Sequence, residues 1–111
     1  MIEESQFNPL ADATLNQLET ALDACGADLD YQLGPGGVLE IEFQNGSKII
    51  VNRHTAAREI WVAAKSGGFH FRPEGGLWFG TRNGEELFTA LSHLISEQSG
   101  EAVVLMRGAG G

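Results

Sequence analysis

The run Val38-Leu39-Glu40-Ile41-Glu42-Phe43-Gln44-Asn45-Gly46-Ser47-Lys48-Ile49-Ile50-Val51-Asn52 decides how this chain folds. Leu39, Ile41 and Phe43 alternate with Glu40, Glu42 and Gln44. A period of two sets one side of a strand on a core and the other in water. Asn45-Gly46 then gives a strong hairpin signal, because both residue types tolerate the left-handed backbone of a tight reversal, and Ser47 to Asn52 returns as the paired strand.

The same grammar extends in both directions. Upstream, Leu29, Tyr31 and Leu33 alternate with Asp28, Asp30 and Gln32, and Gly34-Pro35-Gly36-Gly37 turns that strand into the next. Downstream, strands are expected at Glu59 to Ala64, Phe69 to Arg72 and Leu77 to Thr81, separated by Gly67-Gly68 and Gly75-Gly76. Turns this short leave no room for crossover helices, so the sheet is an antiparallel meander. Before it, Phe7, Ala11, Leu15, Leu18, Leu22 and Cys25 recur at steps of three and four, an amphipathic helix stopped by Gly26. Asn8-Pro9 suits its entrance, and Ser5 is the alternative start if Pro9 is tolerated there. After the sheet, Asn83 with Glu86 reads as a capping box for a second helix whose inward face is Leu87, Phe88, Leu91, Leu94 and Ile95, ending by Gly100. Val103 to Met106 is expected to be extended and 108–111 to fray. The order predicts an α+β domain over residues 1–107, both helices packed on one sheet face, with the other face left for water or a partner.

Composition narrows the function. The 111 residues carry 15 Asp and Glu against 7 Lys and Arg, a formal net charge of -8. Such a surface repels a phosphate backbone and attracts cations or basic protein surfaces, which argues against nucleic acid as a partner. Cys25 is the only cysteine, so neither an internal disulfide nor a thiolate metal cluster can form. Glu3 and Glu4 stand where a basic leader would begin, and no stretch approaches the roughly 20 apolar residues of a membrane span. A soluble, cytoplasmic protein is expected.

The string Asn45-Gly46-Ser47-Lys48-Ile49-Ile50-Val51-Asn52-Arg53, followed by Glu59-Ile60-Trp61-Val62-Ala63 and Gly67-Gly68-Phe69-His70-Phe71, resembles the frataxin family in its bacterial form, and the likeness begins at Phe7-x-x-Leu10-Ala11-Asp12. The resemblance implies two helices on a five- to seven-stranded antiparallel sheet. It also implies weak binding of ferrous and ferric iron at an acidic ridge, and docking on the cysteine desulfurase and the scaffold protein of iron-sulfur cluster assembly. That makes the chain a regulator or iron donor rather than an enzyme.

The residues bear on each part of this. Asp12, Glu19 and Asp23 fall within a stripe of roughly 40° on the first helix at about 100° per residue, a flank that can stand beside Asp28 and Asp30 of the first strand. Carboxylates without His or Cys suit hard cations and bind them weakly when no cage converges. Family members have paired acids where this chain reads Glu19-Thr20 and Asp23-Ala24, so lighter iron loading is expected. On the open face Trp61 points opposite Ile60 and Val62, and Asn52 and Trp61 match the family's scaffold-binding pair. His54, in the loop after Arg53, is grouped with them, and His70 shares their face. Two other readings compete. A ferroxidase or iron store is disfavoured, because no Glu-x-x-His di-iron motif is present. A purely protein-binding acidic module would make iron incidental. Ser66, Ser92 and Cys25 lack any activating motif, and the glycine pairs lie between strands rather than ahead of a helix. A monomer is expected, with metal needed to screen any self-association.

Overall fold

The computed structural model describes residues 2–107, so the fraying expected for 108–111 concerns residues outside that range. Helix α1 spans Glu4–Ala24. The strands are β1 (Leu29–Gly34), β2 (Val38–Phe43), β3 (Lys48–His54), β4 (Glu59–Ala64), β5 (Gly67–Glu74) and β6 (Leu77–Gly80), and helix α2 spans Leu87–Ser99. The six strands form one open antiparallel sheet in chain order, β1 and β6 at its borders.

Each hairpin follows from its turn residues. Between β2 and β3 the Phe43 carbonyl accepts from the Gly46 N–H, and Gly46 has φ 84° while Asn45 does not turn left-handed. The loop is therefore a three-residue turn closed by a glycine bulge rather than a two-residue reversal. Gly75 and Gly76, both with positive φ, make the tight β5–β6 turn. Gly67 and Gly68, expected to turn the chain, lie inside β5, paired with Ala64 and Ala63. The reversal falls two residues earlier, on Lys65-Ser66.

Helix α1 takes the earlier of its two expected starts to within one residue, and α2 starts later than expected. Helix α1 begins at Glu4 with Glu3 as its N-cap, which leaves Pro9 inside the helix. Proline has no N–H to offer the Ser5 carbonyl, but its ring is exposed, and Phe7 and Ala11 on either side are fully buried, so burial of the stripe offsets the missing bond. Helix α2 begins at Leu87, and Glu86 is itself the cap, accepting from the Phe88 and Thr89 N–H groups. Residues 80–86 are used otherwise: the Gly80 N–H donates to the Glu85 carbonyl and Phe79 bridges to Glu86. Gly100, left-handed at φ 79°, ends α2 as expected.

The core lies between the helices and the sheet face that carries Leu39, Ile41, Phe43, Ile49, Val51, Ile60, Val62, Phe71 and Trp78. Trp78 is wholly buried, its Nε1–H donating to Thr14 Oγ1 at 2.8 Å while the ring meets the edge of Phe7 at 5.8 Å. Gln98, buried at the end of α2, donates to the Lys48 carbonyl and to Ser47 Oγ and accepts from the Lys65 N–H. Ser92 and Ser96 hold the extended segment after α2 through the Leu105 N–H and both backbone groups of Val103. Among the described residues no helix is long and apolar enough to cross a membrane.

Candidate functional site

Strand parity builds the first candidate site. Ile60 and Val62 are buried, so Trp61 between them emerges on the face that the helices do not cover. Its register partners are Asn52 on β3 and His70 on β5, which stand beside it on that face. His54 was expected in a loop. Instead β3 continues through it, pairing His54 with Glu59, and its ring reaches the indole. Trp61 is therefore held between two imidazoles, with ring centroids 3.7 Å from His54 at 15° and 4.4 Å from His70 at 10°. Glu59 Oε1 accepts the indole N–H at 2.8 Å and lies 3.6 Å from His70 Nδ1. Parity alone predicts the outward Trp61; the three-ring stack needed the strand length as well.

The acids do not gather at one point. Asp12 is ion-paired with Arg53 at 2.6 Å. Asp23, about 16 Å further along the helix axis, accepts from the Tyr31 hydroxyl at 2.5 Å. Glu19 lies one turn before Asp23, so these two form the close pair of the stripe. Tyr31 reaches α1 from the inner side of β1, which puts Asp30, its neighbour in the alternation, on the opposite side of the sheet beside Glu42. Asp28 accepts from Gln44 just ahead of β1. Asp28 and Asp30 thus do not share the flank of α1; the acids wrap around the β1 border. Among the described residues no three His, Cys, Asp or Glu side chains converge on one metal position.

Comparison with known proteins identifies the family. A family model described as a frataxin-like domain matches residues 1–101. The chain belongs to the frataxin family. A curated relative from Dechloromonas aromatica, named iron-sulfur cluster assembly protein CyaY, is 59% identical over 104 residues, covering 94% of this chain and 99% of its own. A relative of the same name from a Janthinobacterium strain is 55% identical over 106 residues, covering 92% and 95%. Among solved structures, a frataxin from Psychromonas ingrahamii superposes with a TM-score of 0.87 at 35% identity, covering 96% of this chain and all of that one. A trimeric yeast frataxin complexed with ferrous iron gives 0.64 at 25% identity, covering 91% and 89%. The two helices and open six-stranded sheet are the frataxin fold.

In this frataxin the Asp23–Tyr31 contact has a titration signature. The hydrogen bond to Asp23, reinforced by partial desolvation and by the charges of Asp23 and Glu19, pushes the Tyr31 phenol from 10.0 up to about 12. Because the folded value is the higher, the contact favours the fold below pH 10, and that contribution is lost as pH rises through about 12. Tyr31 is the only tyrosine, so its phenolate absorbance reads the site directly. The midpoint is expected near 12 in the native chain and closer to 10.0 in Asp23→Asn. A midpoint indifferent to that substitution would count against the contact.

Cys25, expected to complete the buried stripe, packs against the core but is only half-buried, standing at the C-cap of α1 with its thiol against the Leu22 carbonyl. His93 is exposed on α2 and meets Glu85 at 2.8 Å.

Proposed function

We propose that this frataxin is a non-enzymatic, iron-binding adaptor of iron-sulfur cluster assembly that docks through its open sheet face on the scaffold protein, engages the cysteine desulfurase and modulates it. The observation that carries this reading is the outward Trp61, an aromatic anchor with Asn52 beside it and His54 and His70 against its faces. Large, rigid aromatic surface is what interaction hot spots are made of.

Iron is cargo in this reading, and the carboxylates suit it as loose oxygen donors. Glu19, half-buried, and Asp23, exposed, stand near the C-terminal end of α1, where the helix dipole is negative and no basic residue occupies the last turn. Asp12, Asp28 and Asp30 extend that field. With no converging cage among the described residues, each ferrous or ferric ion keeps most of its water and exchanges readily. Asp12 and Asp28 are moreover engaged by Arg53 and Gln44, consistent with light loading. The names of the relatives support the assembly role, and a reducing cytoplasm suits the unpaired Cys25. The protein acts as a monomer until metal screens its charge.

The test is desulfurase turnover with this protein added, with and without ferrous iron, for the native chain and for Glu19→Ala with Asp23→Ala. We expect turnover to change with the native protein, and calorimetric iron binding to weaken several-fold in the double variant while scaffold affinity stays the same. Turnover unaffected in every condition would sink the regulatory reading. Unchanged iron titration would sink the ridge.

A further inference from the structure

We infer that Glu59 is the positioning residue of the docking face, fixing Trp61 in one orientation so that the scaffold protein meets the edge of a preassembled His54–Trp61–His70 stack. The inference rests on the docking role proposed above and concerns how that face is set.

A tryptophan on an uncovered strand ordinarily samples several side-chain orientations, and a partner that selects one must immobilise it at a cost in affinity. Three contacts remove that freedom here. The indole lies nearly parallel to both imidazoles, and its N–H is bonded to Glu59 Oε1 at 2.8 Å. Glu59 is set in place for this: its side chain is only 17% exposed, and it stands opposite His54 in the register and 3.6 Å from His70. One carboxylate thus touches or neighbours every ring of the stack. Rotating Trp61 would break a charge-assisted hydrogen bond and two stacked contacts together.

The arrangement also dictates what a partner can use. Both faces of the indole are covered and its N–H is occupied, so neither a stacking guanidinium nor a hydrogen-bond acceptor can address the ring as it stands. What is offered is the apolar ring edge. Beside it, His54 Nδ1 accepts from the Ala57 N–H at 3.3 Å, which in the neutral imidazole puts the proton on Nε2 as a donor. A complementary surface is an apolar slot for the ring edge with an acceptor at its rim.

The experiment compares Glu59→Ala, Glu59→Gln and Trp61→Ala in the full chain, reading scaffold affinity by calorimetry and the Trp61 indole N–H by nitrogen-edited NMR. Glu59→Ala is expected to shift the indole resonance, speed its exchange with solvent and weaken scaffold binding about five- to tenfold. Glu59→Gln keeps an amide oxygen as acceptor and should recover both readouts. If Trp61→Ala weakens binding while Glu59→Ala does not, the docking reading stands and the positioning role is overturned. An unmoved indole resonance in Glu59→Ala, or a Glu59→Gln variant as weak as Glu59→Ala, overturns it too. If Trp61→Ala itself binds as the native chain does, it is the docking reading that fails.

Discussion

Trp78→Ala is expected to destabilise the fold by about 3–5 kcal/mol, the largest single-residue effect in the molecule. The ring is wholly buried, and it joins the last strand to the first helix through Thr14 Oγ1 and the edge of Phe7. Removing it opens a cavity that the rigid sheet cannot close, and it also removes the bond that Thr14 accepts. Thr14 still donates to the Leu10 carbonyl, so its hydroxyl is not stranded and the loss is mostly packing. Domains of this size are stable by about 5–15 kcal/mol in total, so the variant should unfold at far lower denaturant concentration and leave little margin at physiological temperature. Trp78→Phe, which keeps aromatic bulk but not the donor, should lose much less. An unfolding free energy for Trp78→Ala within about 1 kcal/mol of the native value would refute the assignment of Trp78 as the centre of the core.

Gln98→Ala is the second large effect, about 2–3 kcal/mol, and its origin is polar. The amide ties the end of α2 to two separate hairpins, accepting from Lys65 in the β4–β5 turn while donating to Ser47 and Lys48 where β3 begins. Truncation leaves the Lys65 N–H and the Lys48 carbonyl without that partner. Amide exchange at Lys65 should accelerate along with the fall in stability. Gln98→Glu separates the two sides of the clamp, since it keeps an acceptor for Lys65 but turns an oxygen toward the Lys48 carbonyl. It should protect the Lys65 amide and still destabilise. Equal protection of that amide in native and Gln98→Ala chains would rule the clamp out.

Neither contact is visible along the chain, because Thr14 and Trp78, or Lys48 and Gln98, lie some fifty or more positions apart and no local pattern links them. The strands were legible for the opposite reason. Alternation at Leu39, Ile41 and Phe43, or at Ile60 and Val62, is a local property, and the structure buries all five. Helix entrances were less legible because two local rules competed. Asn83 and Glu86 have the spacing of a capping box, yet the stretch between them is drawn into a turn against β6, and Glu86 serves as the cap alone. At the open face, parity reveals Trp61 but not its company. Whether His54 stands in a loop or on a strand depends on how far β3 stays paired with β4, which is decided across the sheet. The acids teach the same lesson in reverse: the Asp12, Glu19 and Asp23 stripe follows from helix geometry, whereas the side taken by Asp30 is fixed by Tyr31 reaching α1.

The open border at β1 has a consequence for how the molecule keeps to itself. Its outer row of peptide groups has no strand beside it among the described residues, a template on which a second copy could extend the sheet. Asp28, Asp30 and the adjoining Glu42 make that border repel its own image, so here negative charge works as a fence. On the iron-binding reading proposed above, a cation settling among those carboxylates would lower the fence as it binds, so that metal, and not the fold alone, would set how readily two copies lie edge to edge.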